Sequence, residues 1–111
     1  AREFVVRSRG AVKEAVRALF RAETFVKEQP EESRRLAAGF IKMEKAALDE
    51  VWNIFTVKVS LNQGLIMNFE EQTRWMMRSR LAARKDMPNY LDFIYDDGLR
   101  SISPESVRII R

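Results

Sequence analysis

The chain has 111 residues, 46% of them apolar and 32% charged, with 20 basic against 16 acidic side chains for a net charge of +4. That is the composition of one small globular domain or of one piece of a larger protein, neither a disordered tail nor a strongly basic nucleic-acid binder. Cys and His are both absent, which excludes a disulfide framework, a Cys/His zinc site, a Cys nucleophile and a Ser-His-Asp triad. Apolar runs are short, as at Ala46-Ala47-Leu48, far below the roughly 20 residues that span a bilayer. No basic stretch leading into an apolar one opens the chain, so the signal of an exported protein is expected outside this segment. A lack of Cys suits cytosol and periplasm equally. A start at Ala1 in place of Met fits a segment taken from a longer chain.

In chain order, residues 11 to 28 read as an amphipathic helix. Val12, Val16, Leu19, Phe20 and Val26 make its stripe, and Ser8 is its expected N-cap. Lys13, Arg17 and Arg21 mark a solvated face. Gln29-Pro30 breaks the helix, and Pro30 with Glu31 and Glu32 suits the first turn of a short second one, over 30 to 38, that Gly39 should stop. A third helix is expected near 42 to 52. Residues 54 to 59, Ile-Phe-Thr-Val-Lys-Val, are the best interior strand. Ser60 and Gln63 match a capping box for a fourth helix over about 62 to 83, with Leu65, Ile66, Phe69, Met76 and Met77 on its apolar side. Asp86 or Asn89 can cap a short helix through Tyr95 that Gly98 ends. Ser103-Pro104-Glu105 starts a turn, and Val107, Ile109 and Ile110 run extended.

The sum is a mainly α chain with one or two short strands. A half-apolar strand needs a sheet partner, and several helices are apolar over a wide arc. The expected consequence is a homo-oligomer of this segment, or cover supplied by a missing neighbour.

Three stretches resemble the C-terminal part of periplasmic substrate-binding proteins of ABC importers, in the nitrate/sulfonate/taurine and thiamine-precursor group. They are Arg2-Glu3-Phe4 through Ala11–Val16 to Gln29-Pro30-Glu31-Glu32-Ser33; Val57-Lys58-Val59-Ser60-Leu61-Asn62-Gln63-Gly64-Leu65 to Glu70-Glu71-Gln72-Thr73-Arg74-Trp75; and Met87-Pro88-Asn89-Tyr90-Leu91-Asp92-Phe93-Ile94-Tyr95 with Gly98-Leu99 and Ser103–Ile110. Together they cover nearly the whole chain, and their order and spacing carry the likeness. Arg9-Gly10 stands where that group favours Pro-Glu, and Gln29 where it favours Asn, so those caps are weaker. The resemblance implies that residues 1–111 are a single C-terminal segment, part of one lobe of a two-lobe α/β binding-protein fold of type II. The parent would capture a small solute between its lobes and deliver it to a membrane permease. It would be periplasmic, or lipid-anchored and extracellular. The segment itself would carry no catalytic residue, metal or cofactor, and the residues that hold the solute are not identified.

The residues are weighed for chemistry independently of that likeness. Arg74, Arg78, Arg80, Arg84 and Lys85 have no acid between them, and Trp75 could stack on a base. On a continuous helix Arg74 and Arg78 would share one face, and Arg80 and Arg84 another. A small dimeric nucleic-acid-binding regulator, or a stand-alone helical interaction module, is therefore the alternative, although +4 among interspersed acids favours no nucleic acid. Glu70-Glu71, Asp49-Glu50 and Asp96-Asp97 are sequence neighbours, about 100° apart on a helix, and form no catalytic pair. No nucleophile–base set, calcium loop or phosphate loop is present, so an enzyme is not expected. Met67, Met76, Met77 and Met87 read as core filler or a self-association surface. Tyr90 and Tyr95 read as packing residues with polar tips, and Trp52 and Trp75 as core or interface anchors.

Overall fold

The computed structural model describes residues 2–111. It is mainly helical: α1 (Arg2–Arg7), α2 (Arg9–Glu28), α3 (Pro30–Ile41), α4 (Lys45–Val51), α5 (Gln63–Arg78) and α6 (Asp97–Ile102), with β1 (Leu61–Asn62) and β2 (Val107–Arg108) as one two-stranded parallel sheet. Single 3₁₀ turns cover Trp52–Ile54, Tyr90–Phe93 and Pro104–Ser106. The chain divides into two compact units, one of residues up to Lys13 together with Ser60–Arg111, the other Glu14–Val59.

Helix starts follow the expected chemistry only in part. Pro30 opens α3, with Glu31 and Glu32 in its first turn, where a missing N–H costs nothing and negative charge meets the helix dipole. Ser8 does not cap a helix. Its N–H donates to the Phe4 carbonyl at 2.8 Å and its carbonyl accepts from Val12 at 3.0 Å, so it is a one-residue interruption between α1 and α2. The expected capping box at Ser60 is also absent. Asn62 takes the N-cap position of α5, and the Gln63 side-chain oxygen accepts from the Ile110 N–H at 3.2 Å. The glutamine thus ties the last residues to the helix start.

Helix ends differ more. Gly39 lies inside α3, and Lys42 ends that helix in the left-handed conformation at φ 55°. Arg80, also at φ 55°, closes α5: its N–H bonds the Met77 carbonyl at 3.2 Å, and Leu81 N–H reaches back to Met76 at 2.9 Å. This is a Schellman closure, usually built on glycine. It stops α5 at Arg78, five residues before the expected end. Gly98 likewise does not stop a helix. It lies within α6, where an added Cβ would sit 3.0 Å from a methyl of Val12, so the lack of a side chain allows a close approach.

The strand expected at 54–59 does not form. Ile54 closes a 3₁₀ turn, and the residues after it run without ladder pairing until Leu61. The ladder pairs Leu61 with Val107 and Asn62 with Arg108. Pro104–Ser106 turns as 3₁₀ helix immediately before β2, which is where the ladder stops.

Each unit has a thin interior. In the first, Ile66, Leu99 and Ile109 are buried. The Tyr90 ring stands between Phe69 and Phe93 at centroid distances of 5.3 and 6.4 Å, and its hydroxyl meets Thr73. Tyr90 is a packing residue with its polar tip paired. In the second unit Ser33, Ala38 and Leu48 are buried where α3 packs on α4.

Candidate functional site

The ends of the first unit's chain bring polar side chains together that sequence spacing alone does not reveal. Asp96 follows the short segment after Tyr90–Phe93 and precedes α6, with its side chain only 8% exposed. One carboxylate oxygen accepts from Arg100 at 2.6 Å and the other pairs with Arg111 at 3.3 Å. The Arg111 guanidinium also donates to the carbonyls of Leu91 and Ile94 at 3.3 and 3.1 Å. The hydrogen bond from Arg100 and the charges of both arginines hold the Asp96 carboxyl below its ordinary range. Beside this cluster the Ser103 hydroxyl donates to Glu105 at 2.6 Å and shares a 2.8 Å bond with Ser106. Both carboxylate oxygens of Asp96 are matched within the tail, so this clasp ties the tail together. The only sequence-level trace of it was the four-residue spacing of Asp96 and Arg100.

A groove of about 520 Å³ lies between α1 and the segment after Tyr90, lined by Arg2, Val5, Val6, Asp92, Phe93, Ile94 and Tyr95. Tyr95 therefore lines a recess while Tyr90 does not. Phe93 in its wall is 74% exposed, which makes it an open trough and no enclosed ligand chamber.

The second unit carries an ion-pair cluster. Asp49 lies 3.1 Å from Arg34 and 2.8 Å from Lys45, and Glu31 contacts the same two cations. The Arg34 guanidinium also stands 5.9 Å above the Trp52 ring. Lys45 and Arg34 hold the Glu31 carboxyl below its ordinary range. Trp52 thus serves as an anchor for charge and packing.

The arginine-rich stretch does not lie on one helix. Arg74 pairs with Glu70 and Glu71, and Arg84 with Asp86. With α5 ending at Arg78, Arg80 and Arg84 lie beyond the helix and share no helical face. Among the described residues no group of three or more acidic side chains converges as a metal site would. Among the described residues no helix is long and apolar enough to cross a membrane.

The most informative property is area. The chain exposes 8721 Å². A single compact domain of 13.0 kDa would expose about 6,300 Å², and two separate compact units of this combined mass about 7,600 Å². Among the described residues no large side chain is fully buried, and Phe4, Leu36, Phe40, Ile54, Phe55, Met67, Trp75 and Leu81 all stand exposed. No family model matches the chain, and no curated protein or solved structure shows significant similarity to it.

Proposed function

We propose that this chain is the C-terminal segment of a solute-binding protein of an ABC importer. Its helices would complete one lobe of a type II two-lobe α/β fold. The surplus of exposed apolar surface supports this reading, because helices that cover a sheet supplied elsewhere keep a greasy face when seen alone. A two-residue parallel ladder is also more typical of the margin of a larger sheet than of an independent one. In this role the segment is scaffold: it brings no catalytic group, and the parent captures a small solute of the sulfonate, nitrate, taurine or thiamine-precursor kind in the cleft between lobes and passes it to a permease. The Asp96–Arg111 clasp fits that role by fixing the last turns in place. The paired state of Arg74 and Arg84 weighs against the nucleic-acid alternative, since phosphate binding needs cations that are free to release counterions.

The test is calorimetric titration of the protein encoded by the full reading frame with taurine, an alkanesulfonate, nitrate and a pyrimidine thiamine precursor. One-to-one binding of one of them is expected. A reading frame lacking two α/β lobes, or no heat with any of the four, overturns the proposal.

A further inference from the structure

Residues 72 to 85 contain five cations, Arg74, Arg78, Arg80, Arg84 and Lys85, and no acid. The acids at either border are already used: Glu70 and Glu71 hold Arg74, and Asp86 holds Arg84. Arg78, Arg80 and Lys85 are exposed and join no ion pair among the described residues. Arg78 lies in the last turn of α5, where a cation meets the negative end of the helix dipole. That effect fades beyond the last turn and does not account for the other two. Arg80 stands in the left-handed conformation at φ 55°, which glycine would adopt without strain. The turn closure therefore gives no reason for a charged side chain at this position.

Apolar side chains stand exposed among these cations. Trp75 is 55% exposed, Met76 40% and Leu81 63%. The bond from the Leu81 N–H to the Met76 carbonyl, at 2.9 Å, folds the chain back so that Leu81 returns beside Met76. Trp75 lies one helical turn before Arg78. Apolar and cationic side chains thus share one corner of the molecule, the end of α5 and the turn that closes it. The exposed apolar turn around Lys42, with Phe40, Ile41 and Met43, differs in charge, because residues 35 to 50 carry as many acids as cations.

We infer that the corner at the end of α5 seats on the surface of an anionic phospholipid bilayer. Lipid phosphates meet the charges of Arg78, Arg80 and Lys85, and the Trp75 ring sits at headgroup level, where an amphipathic ring is favoured. Met76 and Leu81 enter the acyl boundary, so the helix end lies in the interface and spans nothing. A single-stranded nucleic acid would use the same cations and stack a base on Trp75, but it leaves Met76 and Leu81 without apolar cover. The exposed aliphatic side chains therefore favour the bilayer. The inference does not rest on the importer reading.

The test is co-sedimentation of the protein encoded by the full reading frame with vesicles of phosphatidylcholine alone and of phosphatidylcholine with about 30% phosphatidylglycerol. Binding is expected to the anionic vesicles only, and it should weaken as salt rises. Arg78→Gln, Arg80→Gly and Lys85→Gln together should lower partitioning about a hundredfold, since each cation near an anionic surface contributes about fivefold. Leu81→Ala should lower it about tenfold. Lys42→Gly, which removes an exposed cation from the same left-handed backbone conformation, should change it less than about twofold. Equal binding to both kinds of vesicle, no binding to either, or a loss on Lys42→Gly as large as that on Arg80→Gly would each overturn the proposal. Salt-sensitive binding of single-stranded DNA in place of vesicles, lost in the triple variant and unmoved by Leu81→Ala, would overturn it too and assign the cations to nucleic acid.

Discussion

Two aspartates in this chain are built on the same plan and placed in different surroundings. Asp49 in the second unit and Asp96 in the first each pair with a cation one helical turn away, Lys45 and Arg100, and with an arginine distant in sequence, Arg34 and Arg111. The Asp49 side chain is 38% exposed and that of Asp96 only 8%. Around Asp96 the oxygens are met by hydrogen bonds, and Arg111 carries the contact on to two carbonyls. At Asp49 the oxygen nearest Arg34 is shielded from water, yet the 3.1 Å approach of the Arg34 Nε lacks hydrogen-bond alignment. Ion pairs in water contribute little, whereas breaking a shielded one leaves a charge stranded. The comparison teaches that burial and alignment, not the number of partners, decide what such a cluster is worth.

The largest effect that sharpens this contrast belongs to a buried apolar side chain of the helix that follows Asp96. Leu99 in α6 is 6% exposed, while Leu36 in α3 is 50% exposed. Leu99→Ala should cost about 3 kcal/mol in urea unfolding, and Leu36→Ala under about 1 kcal/mol. Equal losses would mean that the tail is no better packed than the exposed helix face.

Asp96→Asn comes next, at about 1 kcal/mol, because two half-exposed arginines lose the nearly buried anion they share. Its pH dependence has a definite sign. The native carboxyl titrates below its ordinary range, so between the two values the unfolded chain binds the extra proton. The stabilisation is therefore complete above the unfolded value of about 3.9 and is lost as pH falls from there through the lower native one. Acid unfolding of Asp96→Asn should lack that component. A variant that loses stability below pH 4 as steeply as the unmodified chain would show that the clasp is not what acid breaks.

The helical class, the proline break at Pro30 and the Asn89 cap, whose oxygen accepts from Leu91, were legible because each rests on chemistry confined to a few consecutive residues. The helix ends were not. Lys42 and Arg80 adopt the left-handed turn in place of a glycine, and nothing local marks them, since their closing bonds depend on where the following chain goes. The strand at 54–59 has the right residues and the wrong circumstances: a ladder is made by a partner, and β2 supplies only Val107 and Arg108. The clasp was hidden for the same reason. Asp96 and Asp97 read as two divergent surface acids until Arg111, fifteen positions away in sequence, folds back onto one of them.

The smallest effect lies at the exposed aspartate and is best read through salt. Lys45 is held by Asp49 and Glu31, with all three side chains well exposed, and these pairings lift its ammonium above the ordinary lysine range. Exposed contacts of this kind gain little in high-dielectric water and weaken further as the Debye length shortens from about 8 Å at 0.15 M salt to about 3 Å at 1 M. Lys45→Ala should therefore cost little, and the loss should fade on moving from low salt to about 1 M. Asp96→Asn removes a carboxylate that is itself only 8% exposed, although Arg100 and Arg111 are about half exposed, and should keep more of its cost over the same range. If the two variants respond to salt alike, burial is not what separates the two clusters, and Arg34, which alone links Asp49 to both Glu31 and the Trp52 ring, becomes the residue whose removal must account for the stability of that hairpin.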